Sequence, residues 1–244
     1  MNFTFKFLAL LAVCCFGNAA LADKVRMTFS GTPPYVIAET GTGISIDIVR
    51  EALASRGHEL EVVFVPTKRL VLEMELGNVD GTASVSGLEF DADKVFIGDS
   101  LFEFEDYIFT RADRGLAIES PSDLQNLTVV AFPTAKNIYS EWLGPAVDGG
   151  GYIEVADQIS QIKMLYRDRA DAVLADANIF AYLTNKHLNE TGEDRIPVQQ
   201  SALVGSVGSL PGFTSEALRD DFNAGLAALR ASGRYDEIFK GYIE

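Results

Sequence analysis

The chain has 244 residues, with 35 acidic and 20 basic side chains and a net charge of −15 at pH 7. Because such an acidic protein is repelled by nucleic acid and by anionic lipid head groups, we exclude both as partners. With 48% apolar residues, the chain is able to bury one large core or two smaller ones.

The N-terminus predicts a secretion signal. Lys6 gives a short positive region, residues 7–16 form an apolar stretch, and Ala20-Leu21-Ala22 supplies the small residues of a cleavage site. We therefore predict cleavage after Ala22 and export to the periplasm. The apolar stretch is too short for a permanent membrane anchor, so no membrane insertion is expected after cleavage.

A lipoprotein signal is the alternative, because Cys14 and Cys15 lie in this segment, but Val13 is a poor residue before a lipid-accepting cysteine. Both cysteines leave with the signal. The mature chain would have 222 residues, a charge of −16 and no cysteine, which excludes disulfides and thiolate metal sites. His58 and His187 show no metal-ligand spacing, and we expect both to be solvated.

Apolar periodicity in the first half of the mature chain switches between two and about 3.6 residues. It predicts strands over 24–29, 61–65, 82–85 and 106–110. Helices are predicted from Ser45, as the N-cap, to Gly57, and over 67–76. Alternating strands and helices favour a mainly parallel sheet with helices on its faces.

The pattern starts again after the charged stretch 111–115. Strands are predicted over 127–131, 152–155 and 172–175, and helices over 135–142, from a cap at Asp157, and over 178–187. A later helix is predicted to begin with Thr214 as its N-cap and Phe213 and Leu218 as a hydrophobic staple, and to end at Gly233.

Several motifs occur in a fixed order along the chain: Pro33-Pro34-Tyr35, Gly43-Ile44-Ser45-Ile46-Asp47-Ile48, Gly77-Asn78-Val79-Asp80, residues 168–176 and residues 229–242. Together they resemble the bacterial extracellular solute-binding proteins, family 3, of the polar amino-acid binding type. The resemblance covers essentially the whole mature chain.

The resemblance implies an α/β, two-lobed periplasmic binding protein fold of type II, with a ligand cleft between lobes built on mainly parallel sheets. Lobe 1 would comprise residues 23–111 and 202–244, and lobe 2 residues 112–201. It further implies a monomer without cofactor or metal. Such a protein captures a small polar solute, amino acid-like or a small carboxylate, for an ABC-type permease.

Two residues of this sequence are expected to contact the ligand, one through an aromatic ring and the other through a carboxylate. Tyr35 matches an aromatic position after Pro33-Pro34 and would stack on the ligand, or pack on its own lobe. Asp176 matches the carboxylate that holds a ligand's α-ammonium group. It is also placed to cap the following helix, and the two roles are compatible.

Hydroxyl groups are expected from Ser84 and Ser86 at the end of a strand, and from Thr134 at the start of a helix. The family usually has a glycine followed by Ser or Thr at that helix, where Phe132-Pro133 now stands. Thr134 is therefore either a ligand residue or an ordinary cap.

The main departure from the family is a missing arginine. Amino-acid binders carry Thr-x-x-Arg soon after the strand of Ser84, and that arginine clamps the α-carboxylate. Here residues 87–94 contain one cation, Lys94, and three carboxylates, so ordinary α-amino-acid recognition is in doubt. Arg69, in the first turn of the helix over 67–76, would replace the clamp if it faces the cleft, and would otherwise be solvated.

The sequence contains no G-x-S-x-G, Walker A or H-E-x-x-H motif. Glu89, Asp91 and Asp93 lack the glycine and closing glutamate of an EF-hand. Two alternatives to uptake remain: a protein that presents its ligand to a membrane receptor, and a cyclohexadienyl dehydratase-like enzyme with Asp176 as general acid.

Overall fold

The computed structural model describes residues 23–243, and the predicted secretion signal lies outside them. These residues form two five-stranded sheets with helices packed on their faces. The predicted α/β class with two lobes is confirmed.

The first sheet has the strand order β2-β1-β3-β10-β4. Its strands are β1 (Asp23–Phe29), β2 (His58–Phe64), β3 (Gly81–Thr82), β4 (Phe96–Ile97) and β10 (Gly212–Phe213). The helices of this lobe are α1 (Ile44–Ala54), α2 (Leu70–Glu75), α7 (Glu216–Ser232) and α8 (Arg234–Ile243), with a 3-10 turn (Thr67–Arg69) before α2.

The second sheet has the strand order β7-β6-β8-β5-β9. Its strands are β5 (Glu103–Arg111), β6 (Val129–Ala131), β7 (Tyr152–Glu154), β8 (Ala172–Asp176) and β9 (Val198–Gly208). Its helices are α3 (Ala135–Ile138), α4 (Ser140–Asp148), α5 (Ile159–Tyr166) and α6 (Ala177–Thr191), and 3-10 turns cover Ala112–Arg114 and Pro121–Leu124.

Both sheets are mixed rather than mainly parallel. In the first, β1 is parallel to β2 and β3, whereas β10 is antiparallel to β3 and β4. In the second, β6 is parallel to β7 and β8, whereas β5 is antiparallel to β8 and β9. Strands β4, β5, β9 and β10, which all pair antiparallel with a neighbour, precede or follow a crossing between the lobes. None of the described residues forms a crossover helix between the two sheets there, so these strands need not run parallel to their neighbours.

The strands β5 and β9 carry the chain between the lobes. They pair from Glu103 with Gly208 to Arg111 with Val198, so both belong to the second sheet over their whole length. The lobe boundaries predicted at 111/112 and 201/202 stay a prediction, but this pairing places residues 103–111 and 202–208 in the sheet of lobe 2.

Three helix starts differ from the sequence prediction. Gln158, not Asp157, stands at the N-cap of α5. Gly43, not Ser45, is the N-cap of α1, with φ 136°. A Cβ atom at Gly43 would lie 2.4 Å from the carbonyl oxygen of Tyr35, so the chain needs glycine there. Ser215, not Thr214, caps α7, and its hydroxyl accepts from the Leu218 N–H at 3.4 Å.

The histidines are not solvated as predicted. His187 is only 1% exposed, and its Nε2 lies 3.0 Å from a Glu193 carboxylate oxygen. His58 is partly buried, and its Nε2 lies 3.0 Å from an Asp221 oxygen. Both imidazoles therefore have a carboxylate partner that sequence spacing did not indicate.

Within residues 23–243 no helix is long and apolar enough to cross a membrane. Over the same residues, His, Cys, Asp and Glu side chains do not gather in groups of three or more that would hold a metal ion.

Gly225 fixes the contact between α7 and α1, because a Cβ atom there would lie 2.1 Å from the carbonyl oxygen of Ala52. Gly241 in α8 has open space around it instead. We expect Gly225→Ala to cost about 2–3 kcal/mol in the free energy of unfolding, since two backbones must move apart.

Gly241→Ala is the matched control, since a helical alanine with room is favoured over glycine by up to about 1 kcal/mol. Urea unfolding of both variants checks the prediction. Equal stabilities would mean that the α1–α7 spacing does not depend on Gly225.

Candidate functional site

A cavity lies between the two lobes, with an empty volume of about 830 Å³ that includes its open mouth. Its polar lining consists of two acids, one amide and eight hydroxyl residues: Asp106, Asp176, Gln158, Ser30, Thr32, Ser45, Thr67, Ser84, Ser86, Thr134 and Ser209. Much of the remaining wall is apolar, with Val36, Leu70, Leu88, Phe104, Ile138 and Ile179. None of the described residues that line it is Arg, Lys or His.

Asp176 lies where β8 ends and α6 begins. Its side chain is 2% exposed, and Oδ1 accepts from the backbone N–H groups of Asn178 and Ile179, both at 3.0 Å. Oδ2 accepts from the Glu105 N–H at 3.0 Å. The predicted N-cap is thus confirmed, and the same carboxylate lines the cavity.

Asp106 is a second buried carboxylate in the cavity lining, also 2% exposed. It pairs directly with Asp176 across the antiparallel strands β5 and β8, and residues opposite each other in such a pair project from the same face of the sheet. The Tyr139 hydroxyl donates to its Oδ2 at 2.6 Å. The two acids are therefore neighbours.

Burial raises the pKa of Asp106 from 3.8 to about 7, and the charge of Asp176 adds to the increase, while the hydrogen bond from Tyr139 opposes it. Burial also raises the pKa of Asp176, against the hydrogen bonds it accepts from three backbone N–H groups and from Tyr35. Two neighbouring carboxylates in low dielectric oppose each other's ionisation. Because the described lining holds no Arg, Lys or His, a cation bound beside the two acids would stabilise their ionised forms.

Tyr35 is buried, at 1% exposed, and does not line the cavity. Its ring stacks on Phe102 with centroids 4.3 Å apart, and meets Phe104 edge-on at 5.0 Å. Its hydroxyl donates to Asp176 Oδ1 at 3.3 Å and accepts from the Asn178 amide at 3.1 Å. Tyr35 therefore lies behind the cavity wall, and its hydroxyl links lobe 1 to Asp176 of lobe 2.

The three predicted hydroxyl residues line the cavity, but two are already engaged. Ser86 donates to the Gly208 carbonyl at 2.6 Å, and Ser84 Oγ accepts from the Ser86 N–H at 3.2 Å. Thr134 stands before α3 with φ 77° and makes no side-chain cap hydrogen bond. A β-branched residue in the left-handed region is strained.

Arg69 is not in the cavity lining. Its guanidinium pairs with the Glu73 carboxylate one turn further along the chain, and its side chain is 57% exposed. In the loop where the family carries its arginine, Lys94 pairs with Asp91 at 2.9 Å on the surface. Neither cation reaches the cavity.

Sequence reasoning missed Asp106 and Gln158. A signal for Asp106 existed, since it stands between Phe104 and Ile108 in the inward register of β5, where an acid is unusual. Gln158 is 9% exposed, and its buried Oε1 has no hydrogen-bond partner among the described residues. It precedes α5 directly and gave no separate sequence signal.

Contacts across the cleft hold the lobes together around the cavity. Lys186 of α6 donates to the Glu39 carboxylate at 3.1 Å. The Asn137 amide donates to the Gly87 carbonyl at 3.2 Å. The lobes are therefore closed on the cavity.

The family model described as bacterial extracellular solute-binding proteins, family 3, matches residues 25–244. The chain belongs to that family. A comparison with curated protein sequences gave no match.

Solved structures of the same fold include a histidine kinase sensor domain similar to periplasmic binding proteins, with 18% identity, 91% and 96% of the two chains covered, and a TM-score of 0.74. The ancestral amino acid-binding protein AncCDT-1, described as a precursor of cyclohexadienyl dehydratase, has 19% identity, 91% and 96% coverage, and a TM-score of 0.69. The substrate-binding protein of an amino acid ABC transporter has 18% identity, 90% and 98% coverage, and a TM-score of 0.66. At these identities the likeness establishes the fold.

We expect Asp106→Asn to stabilise the protein at about pH 8 and to lose that advantage towards about pH 4. Because the pKa of Asp106 is about 7 when folded and 3.8 in its usual state, the folded protein binds a proton more tightly than the unfolded chain. Its contribution to stability is present at low pH and is lost as pH rises through about 7.

Melting temperatures of both proteins across this range test the expectation. A difference that is constant with pH, or largest at low pH, would contradict it.

Proposed function

We propose that the protein captures a small solute with an ammonium group between its lobes and delivers it to an ABC-type permease. The observation that carries the proposal is the pair of buried carboxylates, Asp106 and Asp176, in a cavity whose described lining has no cationic side chain. Buried charges require a partner. A cationic group on the ligand supplies it.

The sequence left two ligand classes open, and this cavity favours one of them. An amino acid-like solute places its ammonium group at Asp176, which is fixed by three backbone N–H groups. A small carboxylate without an amine would bring a negative charge beside two buried acids that already oppose each other's ionisation, with Arg69 engaged by Glu73 outside the lining. Electrostatics disfavour it.

Closure of the lobes is the proposed binding mechanism. The ligand would contact Ser84 and Leu88 from lobe 1, and Asp176 and Thr134 from lobe 2, so it favours the closed state over the open one. A monomer suffices, because both walls of the cavity come from one chain. A periplasmic location follows from the predicted signal at residues 1–22 and from the extracellular character of the family.

Presentation of the ligand to a membrane receptor is the alternative to uptake, because a histidine kinase sensor domain shares this fold. The neighbouring genes would separate the two: a permease and an ATPase gene would favour uptake, and a kinase or cyclase gene would favour sensing. A cyclohexadienyl dehydratase-like enzyme is the third candidate. The raised pKa values of Asp106 and Asp176 suit a proton donor, but the acidic substrate would lack a cationic partner here.

The first prediction of this proposal concerns ligand class. Thermal melting of residues 23–244 against amino acids, amines, organic acids and cyclic metabolites should give a shift with an ammonium-bearing compound. A ligand at about 100 times its Kd adds about 2.7 kcal/mol of stability. Asp176→Asn should raise the Kd of that ligand by at least about tenfold, since a hydrogen bond between charged groups is lost. If no compound shifts the melting temperature, uptake of a small solute is the wrong function.

The second prediction concerns closure. A Cβ atom at Gly87 would lie 2.6 Å from Ile138 Cγ1 across the cleft, whereas one at Gly77 meets nothing within 4 Å, and the two glycines have φ values of 70° and 73°. Gly87→Ala should therefore raise the Kd of the ligand well above that of Gly77→Ala, because only the first change obstructs the closed state. Both carry the same backbone strain, of about 1–2 kcal/mol.

Calorimetric titration of both variants with the ligand found above measures the difference. Equal affinities would mean that capture does not require the lobes to meet at Gly87.

A further inference from the structure

We propose that the ligand is an organic amine without an α-carboxylate group, and that Asp106 and Asp176 hold its ammonium group together. This inference rests on the proposed function and narrows it. It adds a binding residue, Asp106, and removes from the ligand the carboxylate that amino acids carry.

The hydrogen bonds of the two acids leave acceptor capacity for a ligand. Asp176 Oδ1 already accepts from two backbone N–H groups and from Tyr35, whereas Oδ2 accepts from one N–H group. Asp106 Oδ2 accepts from Tyr139, and its Oδ1 has no partner among the hydrogen bonds of the described residues. An ammonium group has three donors and no acceptor, which suits these two oxygens.

Gln158 gives a second, independent indication of a donor-rich ligand. Its side chain is more than nine-tenths buried and lines the same cavity, and its Oε1 has no partner among the described residues. A buried acceptor without a partner costs free energy. A ligand N–H group in the cavity would supply the missing donor.

An α-carboxylate would find no charged partner in the same place. The described lining holds no Arg, Lys or His, Arg69 is paired with Glu73, and Lys94 is paired with Asp91. The hydroxyl residues of the lining carry no charge, and one of them, Ser86, already donates to Gly208. Burying a carboxylate beside Asp106 and Asp176 would therefore add repulsion without a cationic partner.

The rest of the ligand should be apolar. Phe104 and Ile179 line the cavity from lobe 2 and Val36 and Leu70 line it from lobe 1. Hydroxyl residues also line the cavity, but most of its exposed wall is apolar, and such a wall orients a ligand that has one polar end. The chemical class is an alkyl- or arylalkyl-amine.

Two sets of matched compounds test the inference: phenethylamine, phenylalanine and 3-phenylpropionate, and isoamylamine, leucine and 4-methylpentanoate. In each set the first compound has only the amine, the second has both the amine and the carboxylate, and the third has only the carboxylate. We expect at least one amine to bind at least tenfold more tightly than its amino acid in calorimetric titration, and neither acid to bind. Asp106→Asn and Gln158→Leu should each raise the Kd of that amine, the first by about ten- to hundredfold.

Glu103→Gln is the control variant, because Glu103 lies on the same strand with its side chain exposed, and it should leave the Kd of the amine unchanged. Tighter binding of the amino acid than of the amine would overturn the inference while the proposed function stands. So would an amine whose Kd is the same for Asp106→Asn and the unaltered protein. Binding of the acid alone would overturn both.

Discussion

Asp106 and Asp176 lie opposite each other on β5 and β8, and both carboxyl groups are almost entirely removed from water. Taking two acids into a low-dielectric interior is costly unless donors surround them. Every donor found around them comes from a feature of the fold: the first turn of α6, the backbone of β5, and the hydroxyls of Tyr35 and Tyr139. The site depends on how these elements supply N–H and O–H groups.

The same elements also connect the lobes. Strand β5 carries Asp106 a few residues after the chain leaves lobe 1, and β9 returns at Gly208, where Ser86 donates to the backbone. Tyr35 spans the junction, with its ring on Phe102 and its hydroxyl on Asp176. A change in the angle between the lobes therefore changes the surroundings of the acids directly. Under the proposed function, recognition of the ligand and closure of the lobes are therefore coupled.

The sequence was sufficient for the architecture because periodicity and a set of ordered motifs act over many residues. The family resemblance implied that Ser84, Ser86, Thr134 and Asp176 face one cleft. All four line the cavity, and their contact with a ligand stays a prediction. The sequence failed for Arg69, because whether a helical arginine turns to a cleft or to a neighbouring Glu73 depends on side-chain packing.

Asp106 was missed for a different reason. In isolation the alternation of β5 predicts which residues point inward, but an inward acid becomes meaningful only when β8 brings Asp176 beside it. That pairing joins residues 70 positions apart in the chain, and no local pattern encodes it. The helix cap at Gly43 was missed likewise, since the close approach of the Tyr35 carbonyl decided it.

The hydrogen bond from Tyr35 to Asp176 has a consequence for how quickly the protein gives up its cargo. It joins the two lobes through the same carboxylate that faces the cavity, so part of the closed state is held whether or not a ligand is present. Under the proposed function, a ligand would therefore spend less of its binding energy on closing the lobes. Because the same bond must break before the lobes separate, it would also lengthen the residence time of the solute. The expected consequence is slower release in return for retention at low solute concentration.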